Sequence, residues 1–219
     1  MKKGFGTNFY SIYKNEAELY DVFSSSEIFS RELTNRIKKL LVGDTLLDVA
    51  CGTCNKTNLL SKYFKKVYAL DTSISFLDYA RRKYKNNKKF NFLLCSSVKI
   101  PLLDDSVDTI FISWGSFPLV KTLNEIKRVI RPGGVIIRIG VLGLDSFTKL
   151  FPNFDLKRIR RIEKKFELAG FKKEEHVVIL KFKNIKSAKM ILSKILGIDK
   201  KLIVSNNLKH KIVLFIYKK

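Results

Sequence analysis

From residue 45 onward the sequence alternates short β-prone runs with runs of helical period, and that alternation leaves few folds open. Thr45–Val49, Lys66–Leu70, Phe90–Cys95, Thr109–Ser113 and Gly134–Val141 read as strands. Lys56–Phe64, Ile74–Tyr84, Val120–Ile130 and Lys157–Ala169 carry apolar residues at helical spacing. Strand followed by helix, repeated, predicts a parallel sheet with helices on both faces, because each crossover must cover a face of the sheet. Two further strands, Glu174–Phe182 and Lys211–Tyr217, flank a predicted helix at Lys186–Leu196, so one member of that pair is expected to run antiparallel.

Ahead of the alternation, residues 26–42 read as one amphipathic helix, with Ile28, Phe29, Leu33, Ile37, Leu40 and Leu41 along a stripe. Ser24 and Glu27 are placed to form a capping box at its start. Residues 4–23 are rich in aromatics, including Tyr10, Tyr13 and Tyr20. They either staple the first helix or form a lid. No repeat period and no Gly/Ser/Pro-rich linker interrupts the 219 residues, so a single domain is expected.

With 46 % hydrophobic residues the chain can bury a core, yet no apolar run reaches the 18 residues or so of a membrane span. The start has no signal-peptide core, and a soluble, cytoplasmic protein is expected, as a monomer or homodimer. Three cysteines, Cys51, Cys54 and Cys95, describe no disulfide framework. The charge is the unusual quantity. Residues 51–100 hold 11 basic and 2 acidic side chains, residues 151–219 hold 19 and 6, and the whole chain is +23. Such a field draws in anions, RNA among them; a lysine-rich composition that serves solubility is the plainer account.

The strand Thr45–Val49 runs into Ala50-Cys51-Gly52-Thr53-Cys54 and then a helix. A tight turn there aims backbone N–H groups and a positive helix end at a ligand, and Gly52 lets the main chain approach it closely. Asp48 closes the strand, and Asp71 ends the next one, 23 residues later. In a doubly wound sheet Asp71 then stands beside the first turn, placed to accept hydrogen bonds from ribose hydroxyls. The turn is neither a G-x-G-x-x-G dinucleotide fingerprint nor a P-loop.

Four blocks resemble the class I S-adenosylmethionine-dependent methyltransferases, in particular the branch with the quinone-biosynthesis C-methyltransferases. The blocks are Leu46–Cys54, Tyr68–Ser73, Ile100–Asp108 and Glu125–Gly134, in the family's order and spacing. Two departures stand out: Cys54 replaces the last glycine of the first block, and Ser96 stands where the family usually has an acid. The resemblance implies a Rossmann-like, doubly wound sheet of seven strands, order 3-2-1-4-5-7-6 with strand 7 antiparallel. It implies one methyltransferase domain over 1–219, divided into a helical cap or lid (1–42), a cofactor-binding core (43–145) and a substrate-side half (146–219).

The cofactor so implied is S-adenosylmethionine, with S-adenosylhomocysteine as product. Ala50, Cys51 and Gly52 would face its methionine part and Asp71 its ribose, with Asp48 a further cofactor-binding residue. Thr72 and Phe76 would flank the adenine, with Ser96 and Ser97 near its amino group. Ser113 and Trp114 would line the junction of donor and acceptor. Tyr10, Tyr13, Trp114, Arg158 and Arg161 are the substrate-side candidates.

Methyl transfer from a sulfonium is an in-line displacement that needs alignment and dryness more than acid–base machinery. No catalytic residue is therefore assigned; a general base at His176 is one reading, a surface or core role the other. Cys51 and Cys54 form C-x-x-C but have no second ligand pair, so no metal is expected. A small-molecule acceptor is the favoured reading. An RNA-directed enzyme using the basic surface, or a non-catalytic cofactor-binding or partner subunit, are the alternatives.

Overall fold

A computed structural model describes residues 16–115, 117–151 and 154–219. The expectations for Tyr10 and Tyr13 fall outside the described residues. The chain enters with α1 (Ala17–Ser26), a short strand β1 (Glu27–Phe29) and α2 (Arg31–Leu40). The alternating part follows: β2 (Thr45–Val49), α3 (Asn55–Ser61), β3 (Lys66–Asp71), α4 (Ile74–Lys83), β4 (Phe90–Leu94), β5 (Val107–Ser113), α5 (Leu119–Val129) and β6 (Ile130–Val141). Then come α6 (Leu156–Leu168), β7 (Lys172–Lys181), α7 (Ile185–Leu196) and β8 (Asn207–Lys218).

The sheet corrects the expected topology. It has eight strands rather than seven, in the order β1-β7-β8-β6-β5-β2-β3-β4. The difference sits at one edge, where β1 pairs antiparallel with β7 through Glu27↔Leu180, Ile28↔Ile179 and Phe29↔Val178. β2 to β6 are mutually parallel where they pair, and β8 runs antiparallel to both β6 and β7. The edge strand also corrects the single helix expected over 26–42. Ser30 breaks that stretch: its hydroxyl accepts from the Leu33 N–H at 3.1 Å and caps α2, leaving the three residues before it free to extend. Ser24 and Glu27 form no capping box. Ser24, Ser25 and Ser26 lie in the last turn of α1, their hydroxyls donating to the carbonyls of Asp21, Val22 and Phe23.

Burial explains why the parallel strands read as continuous apolar runs. β5 is buried along nearly its whole length because helices cover both faces. On one face Leu123, Ile126, Val129 and Phe166 from α5 and α6 pack on Ile110, Ile112, Ile136 and Phe215. On the other, Leu33, Ile37, Leu60 and Phe64 from α2, α3 and the turn after it pack on Leu46, Phe111, Ile137 and Leu214. A third cluster joins α1 and α7 to Phe76, Phe147 and Leu150, over the edge where the parallel strands end.

Two of the recognised sequence blocks serve as braces. Arg128 bonds Glu125 at 2.9 and 3.0 Å, Asp104 at 2.6 Å, and the carbonyls of Ile100 and Leu102. Asp108, nearly fully buried, accepts from the N–H groups of Asp44 and Thr45 and pairs with Arg131. These contacts fix the chain at the start of β2 and so aim the turn at its far end.

Candidate functional site

The turn after β2 follows from three successive left-handed residues in alternate positions. Ala50, Gly52 and Cys54 have φ of 60, 57 and 63°. Only Gly52 takes that conformation without steric cost; for the other two it costs on the order of 1 kcal/mol each. The left-handed Cys54 is the residue that replaces a family glycine. The turn is held from below by the Cys51 N–H donating to the Leu70 carbonyl at 2.9 Å.

Asp71 is drawn into the same turn. Its carboxylate accepts from the Gly52 N–H at 2.8 Å and the Ser73 N–H at 2.9 Å, while only 4 % exposed. Burial raises its pKa, and the backbone N–H groups of Ser73, Gly52 and Thr72 oppose that rise. Asp48 lies below. One of its oxygens accepts from the Thr57 hydroxyl at 2.5 Å; the other is buried with no hydrogen-bond partner among the described residues. Burial pushes the Asp48 carboxyl up to about 7, with Thr57 opposing and the charge of Asp71 adding. Burial likewise pushes the Cys51 thiol up, which keeps it protonated and a poor metal ligand or nucleophile at neutral pH.

Helix α1 covers this turn. The Tyr20 ring stacks on Phe76 at 4.5 Å and 21°. It also lies so close to Gly52 that a β-carbon there would meet its Cε1 at 2.9 Å. A polar cluster fixes the helix in place. Asp21 accepts from Lys83 at 2.7 and 2.8 Å, from Asn55 at 2.9 Å and from the Tyr79 hydroxyl at 3.2 Å. Beside it a groove of about 630 Å³ separates α1 from α4, lined by Ala17, Glu18, Ser75, Tyr79, Arg82 and Lys83.

The remaining sequence-derived residues divide. Thr72 and Ser96 are exposed, and Ser97 turns its hydroxyl inward to Thr122 at 2.8 Å. Ser113 ends β5 with its hydroxyl buried and unpartnered among the described residues. Trp114 follows with φ 65°, and Gly115 abuts Ala50 so closely that a β-carbon would touch it at 3.0 Å. Arg158 and Arg161 lie exposed on α6, Arg161 reaching Asp155 at 3.9 Å; no recorded contact brings them to the turn.

Next to Trp114 the fold assembles a group that sequence reading passed over. His210, at the start of β8, faces Asp145 on the loop after β6 with Nδ1 and Oδ2 2.9 Å apart. The separation of 65 residues hid the pair, and only the antiparallel return of β8 brings them together. Trp114 stacks on the His210 ring at 5.1 Å and 21°, and its Nε1 donates to Glu27 at 3.0 Å. His176, the histidine considered as a base, lies on β7 within 3.6 Å of Glu174, which is bound to Arg36.

Residues 47–138 match a protein family described as a methyltransferase domain. The chain is 33 % identical over 110 residues to the demethylmenaquinone methyltransferase of Clavibacter sepedonicus, covering 49 % of this chain and 45 % of that one. It is 36 % identical over 132 residues to the malonyl-[acyl-carrier protein] O-methyltransferase of Yersinia pestis, covering 57 % and 47 %. The chain thus spans about half the length of these relatives. In fold it resembles a SAM-dependent methyltransferase from Aquifex aeolicus, with a TM-score of 0.59 at 23 % identity over 92 % of this chain and 98 % of that one. The resemblance read from the four sequence blocks is borne out by these matches.

Proposed function

We infer that the methyltransferase-family domain at residues 47–138 makes this chain an S-adenosylmethionine-dependent methyltransferase acting on a small-molecule acceptor. The observation that carries the reading is the buried Asp71 carboxylate tied to the Gly52 N–H, with the unpartnered Asp48 oxygen beneath it. An acid on the second parallel strand next to a left-handed glycine turn fits a ribose and an approaching cofactor backbone. The unpaired Asp48 oxygen fits a cationic or N–H-bearing group above it. When bound, S-adenosylmethionine supplies a methyl group already activated by its sulfonium, so the protein's task is to align and to exclude water.

In this reading Asp71 accepts the ribose hydroxyls and Asp48, Ala50, Cys51 and Gly52 border the methionine part. Phe76 offers a ring face to the adenine, with Thr72, Ser96 and Ser97 around it, and Ser113 and Trp114 border the junction with the acceptor. Residues 43–145 form the cofactor-binding core, 1–42 a covering segment and 146–219 the acceptor side of one domain. Since Tyr20 now lies against Gly52 and Phe76, α1 shifts when the cofactor binds.

Calorimetric titration of the full chain with S-adenosylmethionine tests the reading. Saturable binding with one site per chain is expected, displaced by S-adenosylhomocysteine; absence of measurable binding, or failure of S-adenosylhomocysteine to compete, overturns it.

A second reading has its own observation. Lys157, Arg158, Arg160 and Arg161 all stand exposed on the first turns of α6, in a segment carrying 19 basic and 6 acidic residues. An RNA acceptor would be met there. A tRNA affinity that is weak and flat between 50 and 300 mM salt, on the order of the range where phosphate contacts show their slope, excludes it.

A further inference from the structure

The pair Asp145–His210 has the form of an oriented base. Asp145 accepts from the backbone N–H groups of Phe147 and Thr148 at 2.9 and 2.8 Å and from Lys211 at 2.6 Å, as well as facing His210. Burial alone would raise its pKa. The His210 ring and the N–H groups of Thr148 and Lys211 outweigh that and hold it at about 2. An ionised carboxylate can only accept, so Nδ1 of His210 carries the hydrogen between them. In the neutral ring that leaves the lone pair on Nε2. Nε2 is buried and has no hydrogen-bond partner among the described residues.

Its location matters as much as its tautomer. His210 stands just beyond the β6–β8 pairing, which ends at Val141↔Ile212, at the edge where β5 and β6 finish. Trp114 covers its face, and the next residue, Gly115, lies so near Ala50 of the β2 turn that a β-carbon on it would come within 3.0 Å of the Ala50 methyl. The base is therefore one ring and one residue away from the turn assigned to the methyl donor. Phe147 packs on the other flank at 4.8 Å. The charged groups around it are Asp145, and Glu27 on β1 and Lys56 on α3, which pair with each other at 3.3 Å behind Trp114. On β7 its register partner is Val178, with His176 two residues along. Arg138, half-buried, lies on the opposite sheet face against Phe166 and Phe215.

We propose that His210, oriented by Asp145, is the general base that takes the proton from the methyl acceptor, and that the acceptor is a neutral O–H acid of the phenol or enol type. The assignment rests on the methyltransferase reading above. A carboxylate acceptor needs no base, and it would meet no unpaired cation here among the described residues, because Lys56 is already neutralised by Glu27. In the step, Nε2 takes the O–H proton and the electron pair of that bond stays on the acceptor. The acceptor oxygen, or a carbon conjugated with it, bonds to the methyl carbon as the methyl–sulfur bond breaks with its pair on sulfur. The proton then passes from His210 to solvent, so one proton is released per methyl transferred. Trp114 covers the face of the His210 ring, with its backbone in the left-handed region and its Nε1 donating to Glu27, so the acceptor must enter at the ring edge that carries Nε2.

The test uses 4-nitro-1-naphthol, whose anion is coloured, with the full chain, and S-adenosylmethionine calorimetry on the same samples. The probe is expected to bind with its ionisation shifted at least tenfold toward the anion. It should also change the emission of Trp114, the single tryptophan of the chain. H210Q should abolish the ionisation shift, and D145N most of it, with circular dichroism and cofactor affinity unchanged. Cofactor binding without any probe shift in the unmutated chain, or an equal shift in H210Q, overturns the base while leaving the methyltransferase reading in place. Absence of cofactor binding overturns that reading and the methyl-transfer role with it. If H210Q does not fold, the unmutated chain's probe shift and its tryptophan response still decide.

Discussion

Asp48 and Asp71 lie on neighbouring parallel strands, and burial raises the pKa of both. Backbone N–H groups of Gly52, Ser73 and Thr72 support Asp71; Asp48 has one hydroxyl, and its second oxygen has no hydrogen-bond partner among the described residues. Replacing Asp71 by Ala removes the carboxylate proposed to accept the ribose hydroxyls and leaves the N–H groups of Gly52 and Ser73 without it. S-adenosylmethionine affinity is expected to fall at least ~100-fold, at about 1.5–3 kcal/mol for each hydrogen bond to a charged group; an unchanged calorimetric affinity refutes the assignment. Asp48 makes a pH prediction. Its folded pKa of about 7 lies above its unfolded value. Between about pH 4 and pH 7 the folded protein keeps a proton that the unfolded chain has lost, so stability falls as pH rises through that window and stays low above it. Asp48→Asn is expected to abolish that fall and to be the more stable form at pH 8, by on the order of 2–4 kcal/mol. Urea unfolding of both proteins at pH 5 and pH 8 reads the difference. Cys54 was visible in the sequence as a departure from the family block, and its φ of 63° shows what the departure costs. Ser96 was visible too, but its exposed side chain turned away from any buried partner was not.

Among the elements, α1 is the one whose position the sequence did not announce. Its aromatics read equally as staple or lid, because periodicity reports which face is apolar and not what that face will meet. In the fold, Tyr20 lies on Phe76 and against Gly52, and Asp21 anchors the helix to Asn55 and Lys83. Cofactor binding then competes with an internal ring, and the apparent affinity is reduced by the fraction of closed molecules. Tyr20→Ala is expected to tighten S-adenosylmethionine binding several-fold. Weaker binding would instead make Tyr20 part of the bound site. The short strand β1 has a similar origin. Ile28 and Phe29 fit a helical stripe, yet Ser30 caps α2 after them and β7 offers an unpaired edge for them to join.

For the molecule as a whole, charge and topology act separately. A net +23 repels itself in the compact state, and counter-ions relieve that repulsion. Raising sodium chloride from about 0.05 to 0.5 M, a change from weak to strong screening, is expected to raise the Tm. A Tm that falls or stays level would place the stabilising electrostatics in ion pairs such as Arg128–Glu125 and Arg36–Glu174. The described helices include none long and apolar enough to cross a membrane.

The parallel core was legible because its cause is local. Apolar period, strand length and the Gly52 turn are written in neighbouring residues, and so were the spacing from Asp48 to Asp71 and the order of the four blocks. The resemblance supplied the donor for the same reason, since each of the four blocks is a contiguous run of residues. The eighth strand, the cover made by Tyr20 and the Asp145–His210 pair were not legible. Each depends on which distant segments the sheet brings side by side. β8 must return antiparallel beside β6 before His210 reaches Asp145, and β7 must present its free edge before residues 27–29 can extend. Hydrogen bonds across 65 residues leave no period in the chain, so the Asp145–His210 pair waited for the fold.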